Sequence, residues 1–495
     1  MSQHPDQVEL LGKLSHMGSY GRADHEPKDE FIKTFYPVPE HSRAFDPDVV
    51  LIIGPRGSGK TELFKAVLKF KLLPAILRYS PQKSLQSSDL TNAEWIPAHP
   101  IGRDFPDPYG LEIYFKENQN NPKDSQDVWY AYLLRVLSSY LDIESQREII
   151  KITQNPGADV QKNVDALKNA GTKPTIILDQ LDEILEKEGR YLFIGYDELD
   201  ILGGSNYQVT SKAIEGLIAF WATYTRRWRR IRAKIFLRTD LFEKHARIGG
   251  ADLAKLAANR AEIQWNEKNL YAMLVKRIAN TDQNLLTYCE NSKIQFDKDM
   301  DIQFVPNMKN FENNKFLINR LVGKYMGPTP KKGLTENWLL NHTKNGLGQI
   351  LPRQFVRLIE RAAENQLSKG VYPKWPQLLE PISLRKAIDI VSIDHVNQSD
   401  DEYPWIIGLK TRIKDQNVPW PRRSLEIFLK KDWQSPWASD AKIRPPTDNP
   451  KEFIDYLVDN GIFRQRSEGR IDVPDLYLQG LGLKRKGGVK KKEQN

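Results

Sequence analysis

Residues 54–61 read Gly-Pro-Arg-Gly-Ser-Gly-Lys-Thr. No other segment restricts the fold as much. The spacing G-x-x-x-x-G-K-[ST] belongs to a loop whose backbone N–H groups converge on phosphate oxygens, and it works only between a strand and the N-terminus of a helix. Both flanks are present. DVVLIIG (48–54) is a continuous apolar run ending in glycine, as a buried parallel strand requires. Leu63, Phe64, Val67 and Leu68 follow at helical spacing. The expected fold class is therefore α/β, with a P-loop core built on a parallel sheet.

Each residue of the loop then has an expected task. Gly54, Gly57 and Gly59 let the backbone approach the ligand, and Ser58 lies in the same cradle. Lys60 reaches the β- and γ-phosphates, and Thr61 ligates Mg²⁺. The cofactors implied are ATP and Mg²⁺. Hydrolysis further needs a carboxylate on the metal side and a group that polarises water. Two acidic segments compete for these roles. YLFIGYDELD (191–200) is a short apolar run ending abruptly in acid, a buried strand that delivers Asp197 to the metal and Glu198 as general base. TIILDQLDEILEKEG (175–189) offers Asp179. Its apolar residues Ile177, Leu181, Ile184 and Leu185 recur at helical spacing behind Pro174, so it reads as a helix and Asp179 as a decoy.

A chain of 495 residues has room for two to four domains, and 40% hydrophobic residues suffice for their cores. No apolar run approaches the ~18 residues of a membrane span, and the N-terminus lacks the pattern of a signal peptide. One cysteine, Cys289, excludes an internal disulfide and a cysteine-based zinc site. The histidines show no metal-ligand spacing, so nucleotide-bound Mg²⁺ is the only metal expected. A cytoplasmic location with no membrane contact follows as an expectation. The net charge of +9 permits an acidic partner without demanding one. Its densest runs are TRRWRRIRAK (225–234), where Trp228 offers a stacking surface, and the tail 484–495.

Along the chain, residues 1–46 read as an N-terminal extension. Residues 47–266 read as the P-loop core, with a loop-rich insertion at about 81–124. Residues 267–372 read as a helical lid with an insertion at about 282–345, and 373–495 as an α-rich C-terminal region. The last ordered piece is two helices and a hairpin turning at Ser467-Glu468-Gly469, rich in Arg464, Arg466 and Arg470, followed by the basic tail.

The order of P-loop, Asp-Glu strand, polar-ended strand and downstream arginines resembles the AAA+ and STAND classes of P-loop ATPase, including origin-recognition-type initiators with a C-terminal winged helix. That resemblance implies further roles. Thr239 or Asp240, in KIFLRTDLF, would read the γ-phosphate as a sensor-1 residue. Arg260 would be an arginine finger reaching a neighbouring subunit, with Arg247 as its rival. Arg353, near the start of LPRQFVRLIERAAE, would be a sensor-2 residue coupling phosphate charge to the lid. It also implies a Mg-dependent ATPase acting as a switch or motor, a homo-oligomer whose nucleotide state controls engagement of a partner, plausibly DNA. The alternative is a slow, nucleotide-dependent scaffold regulating a separate effector protein without binding DNA, as in bacterial defence systems.

Overall fold

The computed structural model describes residues 6–17, 26–79, 90, 92–100, 107–118, 122–153, 159–203, 207–246, 256–307, 311–400, 403–431, 433 and 444–486. Arg247 and tail residues 487–495 lie outside them. The chain forms two compact units, one of residues 37–264 and one joining 1–36 to 265–495. Residues 1–36 are thus not a separate extension.

The unit of residues 37–264 is built on a five-stranded sheet in the order β2-β3-β4-β1-β5. The strands are β1 (Leu51–Gly54), β2 (Glu94–His99), β3 (Leu192–Tyr196), β4 (Ile231–Arg238) and β5 (Ala261–Glu262). All pairs are parallel, so all the strand ends face one edge. Every residue of β1 and β3 is buried, which explains the unbroken apolar runs. Helix α1 (Lys60–Phe64) leaves the P-loop directly. The largest side chains of the core belong to α2 (Pro122–Leu137), β3 and α4 (Tyr207–Tyr224). Trp129, Tyr196, Trp221 and Trp228 are all at most 1% exposed. Gly216 lets α2 and α4 cross closely, because a Cβ there would sit 2.4 Å from the Ser125 carbonyl oxygen.

Three expectations need correction. The segment read as a loop-rich insertion supplies β2, a strand of the sheet itself. Pro97 disguised it, yet a proline is tolerated on an edge strand because the missing N–H breaks no ladder. Trp228 offers no stacking surface. It is buried, and its indole N–H donates to Asp179 Oδ1 at 3.0 Å. The surrounding basic run is tied down by α3 (Lys173–Lys187), the helix expected around Asp179. Arg227 pairs with Asp179 and Arg229 with Glu186. Asp182 accepts the backbone N–H groups of Arg229, Arg230 and Ile231 at 2.7–2.9 Å, fixing the start of β4. Third, residues 282–345, read as an insertion in the lid, carry regular elements. They hold helices Gln283–Glu290, Phe311–Leu321 and Thr335–Thr343 and the hairpin of β6 (Phe296–Asp299) with β7 (Gln303–Pro306).

In the other unit, helices α6 (Pro352–Lys369) and α7 (Pro381–Gln398) pack side by side, while α5 (Thr239–Ala246) follows β4 in the unit of residues 37–264. The C-terminal part then runs α8 (Ile406–Ile413), β8 (Asn417–Val418), α9 (Arg422–Lys430), α10 (Pro450–Asp459), β9 (Arg464–Gln465) and β10 (Ile471–Asp472). β9 and β10 form an antiparallel hairpin, and Trp420 bridges Ile471 just beyond β8. Three helices and three short strands, the last two paired as the hairpin, make a winged-helix-like domain. Gly469 turns the hairpin at φ 77°, where glycine carries no steric penalty. No described helix is long and apolar enough to cross a membrane.

Candidate nucleotide-binding site

The site is assembled at the carboxyl ends of β1, β3 and β4, three adjacent strands, where a parallel α/β sheet opens its ligand crevice. After β1 the chain turns through Gly57 (φ 79°) and Gly59 (φ 97°), both in the left-handed region that glycine alone adopts freely. Gly54 is required for space. A Cβ there would lie 2.6 Å from the Ser58 hydroxyl oxygen and 3.2 Å from Ile263 Cβ. Lys60 is folded into its own loop, where its ammonium donates to the carbonyls of Gly54 (2.8 Å) and Pro55 (3.0 Å). Burial lowers its pKa to about 8, opposed by the nearby Asp197 charge. A phosphate in the loop would add opposite charge beside this buried ammonium.

Asp197 follows β3 and is 3% exposed. Burial raises its pKa to about 6, against a hydrogen bond from Thr61 and the charge of Lys60. Its Oδ2 is buried without a hydrogen-bond partner. A P-loop hydroxyl and a desolvated carboxylate with a vacant lone pair are a donor set that fits a hard divalent cation. Thr61 and Asp197 are the residues that would hold Mg²⁺, and the glycine-shaped loop is the cradle that would hold the triphosphate. Glu198 comes next in the left-handed region, φ 52° and ψ 35°, at about 1–2 kcal/mol of strain for a residue with a Cβ.

Two residues that sequence reasoning missed complete the site. β4 runs to Arg238, which pairs in register with Gly54, so the charged end of the strand is Arg238 and Thr239 already opens α5. The Arg238 guanidinium grips Asp240 through two bonds (2.7 and 3.1 Å) and reaches Asp200 at 3.2 Å. Arg238, Asp240 and Asp200 all act on the Lys60 charge. The sign was legible in KIFLRTD, but the apolar run suggested a strand over 234–237 that ends one residue earlier. His99, the last residue of β2, is 1% exposed and bonds Asp197 through both backbone polar groups. Nothing in the sequence marked it, because β2 itself went unread.

Arg260 and Arg353 are carried by other elements. Arg260 precedes β5 and is engaged locally, by Glu262 at 2.8 Å and by the Ala257 carbonyl at 2.8 Å. Arg353 is the second residue of α6, in the other compact unit. The arginines of the wing are occupied. Asp472, fully buried, receives Arg464 (2.7 Å), Arg466 (2.8 Å) and Arg485 (2.7 Å), while Arg470 pairs with Glu468 (2.6 Å). The preceding helix α10 presents Glu452 and Asp459 to solvent beside Lys451.

No protein-family model and no curated protein matches the chain. Among solved structures it is similar to the ORC2 protein of Aeropyrum pernix in ADPNP-ADP complexes. That pair shares 13% identity over 93% of this chain and 92% of that one, with a TM-score of 0.35. The ADP form of the same protein shares 13% identity over 87% and 84%, with a TM-score of 0.29. Cdc6p from Pyrobaculum aerophilum shares 10% over 97% and 94%, with a TM-score of 0.27.

Proposed function

We propose that this chain binds ATP with Mg²⁺ at the P-loop and hydrolyses it to ADP and phosphate, and that the nucleotide state switches its engagement of a partner. The observation that carries this reading is the contact between Thr61 and Asp197. It joins the end of the P-loop to the end of β3 and leaves one buried carboxylate oxygen unsatisfied. Loop N–H groups and Lys60 hold the triphosphate. Thr61 and Asp197 would hold the cation, which would supply positive charge to offset that of the phosphates. Glu198, one residue past the metal-side carboxylate, orients the attacking water and takes its proton. Arg238 replaces Thr239 as the strand-end group best placed to read the terminal phosphate, because it already shares the electrostatic field of Lys60. Arg260 as an interface finger and Arg353 as a sensor on α6 belong to the same proposal. A finger that reaches a neighbouring subunit suits a homo-oligomeric switch.

The wing favours the second reading of the partner. A guanidinium already bonded to a buried carboxylate gives up that bond to meet a DNA phosphate, and the exposed acids of α10 repel one. An effector protein docked on this domain, in an assembly controlled by nucleotide, fits these charges better than DNA held by the hairpin. The test compares the wild type with Glu198→Gln. The variant should bind ATP as tightly as the wild type and lose at least about 100-fold in turnover. Asp179→Asn should leave turnover intact, and loss of turnover in that variant alone overturns the assignment.

A further inference from the structure

β2 carries a bulge at its last turn. Its register against β3 runs Pro97 to Gly195 and then His99 to Tyr196, so Ala98 is an extra residue. A bulge re-aims the side chain that follows it. Here both Ala98 and His99 face inward, each 1% exposed. The Ala98 carbonyl, displaced from the ladder, accepts the Tyr132 hydroxyl of α2. The re-aimed imidazole meets the carbonyl of Asp197 at 2.7 Å through Nδ1, and the Asp197 N–H donates to the His99 carbonyl at 3.0 Å. A carbonyl can only accept, so Nδ1 carries the proton in this bond. The pinned carbonyl belongs to the peptide that joins Asp197 to Glu198, and Glu198 sits in a conformation it does not adopt unaided.

We propose that His99 is a positioning residue of the site: by fixing the Asp197–Glu198 peptide it holds the metal-side carboxylate and the water-activating glutamate in their working orientations. This deepens the nucleotide reading and rests on it. His99 touches neither nucleotide nor water. Its contribution passes through the backbone to the two carboxylates.

Three variants of the full chain test the assignment. His99→Leu removes the donor at similar volume, His99→Asn keeps a donor near the Nδ1 position, and Tyr132→Phe frees the Ala98 carbonyl at the bulge. Turnover, ATP affinity at saturating Mg²⁺, and the Mg²⁺ concentration that half-saturates ATP binding are measured for each. His99→Leu should lower kcat by about 10- to 100-fold and raise the Mg²⁺ requirement about tenfold, the range seen when partners of metal ligands are removed. ATP affinity at saturating Mg²⁺ should stay within about threefold. His99→Asn should restore both quantities to within about threefold of wild type, because the donor rather than the ring volume is what matters. In the Glu198→Gln background, His99→Leu should cost less turnover than in the wild type while still raising the Mg²⁺ requirement, since one pinned peptide serves both carboxylates. A leucine variant with wild-type kcat and Mg²⁺ requirement overturns the inference, as does an asparagine variant as impaired as leucine. Should leucine prevent folding, asparagine and Tyr132→Phe decide. Phenylalanine lowers kcat at unchanged ATP affinity if the bulge aims His99, and unchanged kcat overturns it. In a chain that binds ATP without turnover, the Mg²⁺ requirement alone decides. A wild type that binds no nucleotide overturns the site reading and this inference together.

Discussion

Replacing Asp472 by asparagine tests how the winged-helix-like domain manages its charge. The carboxylate is fully buried and bonded by three guanidiniums and by the Val473 N–H at 2.9 Å. Burial alone pushes its pKa up, but the bonds from Arg464 and Arg466 and the charge of Arg485 outweigh it and hold the carboxyl below the usual value. A group so depressed contributes stability that is present above the unfolded carboxyl pKa and is lost as pH falls through the folded one. Removing one partner of a fully buried ion pair costs about 3–5 kcal/mol. The three guanidiniums are 34–49% exposed and rehydrate when released, which brings the expected cost down to about 2 kcal/mol. Hydrogen exchange of the full-length Asp472→Asn protein measures this. Amides of 462–473 should exchange about 30-fold faster than in the wild type, while those of β1 and β3 stay unchanged. The same variant frees arginine charge at the hairpin. Its affinity for duplex DNA should rise, with the salt dependence steeper by about one phosphate contact. Wild-type exchange rates together with unchanged DNA affinity would refute the view that Asp472 keeps the wing's arginines occupied.

Two other outcomes follow from buried charge in the P-loop unit. Lys234 is fully buried and caps the carbonyls of Asp46 and Val49, and burial lowers its pKa to about 7. Between that value and 10.5 the unfolded chain holds a proton that the folded chain has shed, so stability rises with pH across this window. Relative to Lys234→Met, wild-type stability in urea should improve by roughly 1.4 kcal/mol per pH unit above 7 and flatten near 10. A difference that does not vary with pH contradicts this. Arg238→Ala should weaken ATP binding at least tenfold more than ADP binding, as expected for a charge read at the terminal phosphate. Equal losses for both nucleotides assign Arg238 to the Asp200–Asp240 ion pair alone.

The parts of the site legible in the sequence share one property: their chemistry is written in adjacent residues. The P-loop needs its glycines in order, and β3 announces itself as an apolar run that stops at acid. The helix over Asp179 was readable because its period differs from a strand's. What stayed hidden was set by partners far along the chain. β2 contains a proline and becomes a strand only because an edge position excuses it. The length of β4 is fixed by pairing with β1, so Arg238 rather than Thr239 ends the strand. Trp228 looked available beside so many arginines until Asp179 and Asp182 claimed the whole turn. The wing read as a cationic surface because Asp472, eight residues from Arg464, counts as one acid among several basic residues until the fold buries it.

Titration of ATP with Mg²⁺ into the wild type and into Lys60→Ala tests the central claim most directly. Lys60 is a buried ammonium of the loop, and charged hydrogen bonds from it to phosphate would account for about 3 kcal/mol of binding. The wild type should bind a single equivalent, and the alanine variant should bind at least about 100-fold more weakly while keeping its fold. Equal affinity in the two proteins, or none in the wild type, would contradict the claim that residues 54–61 form a nucleotide site.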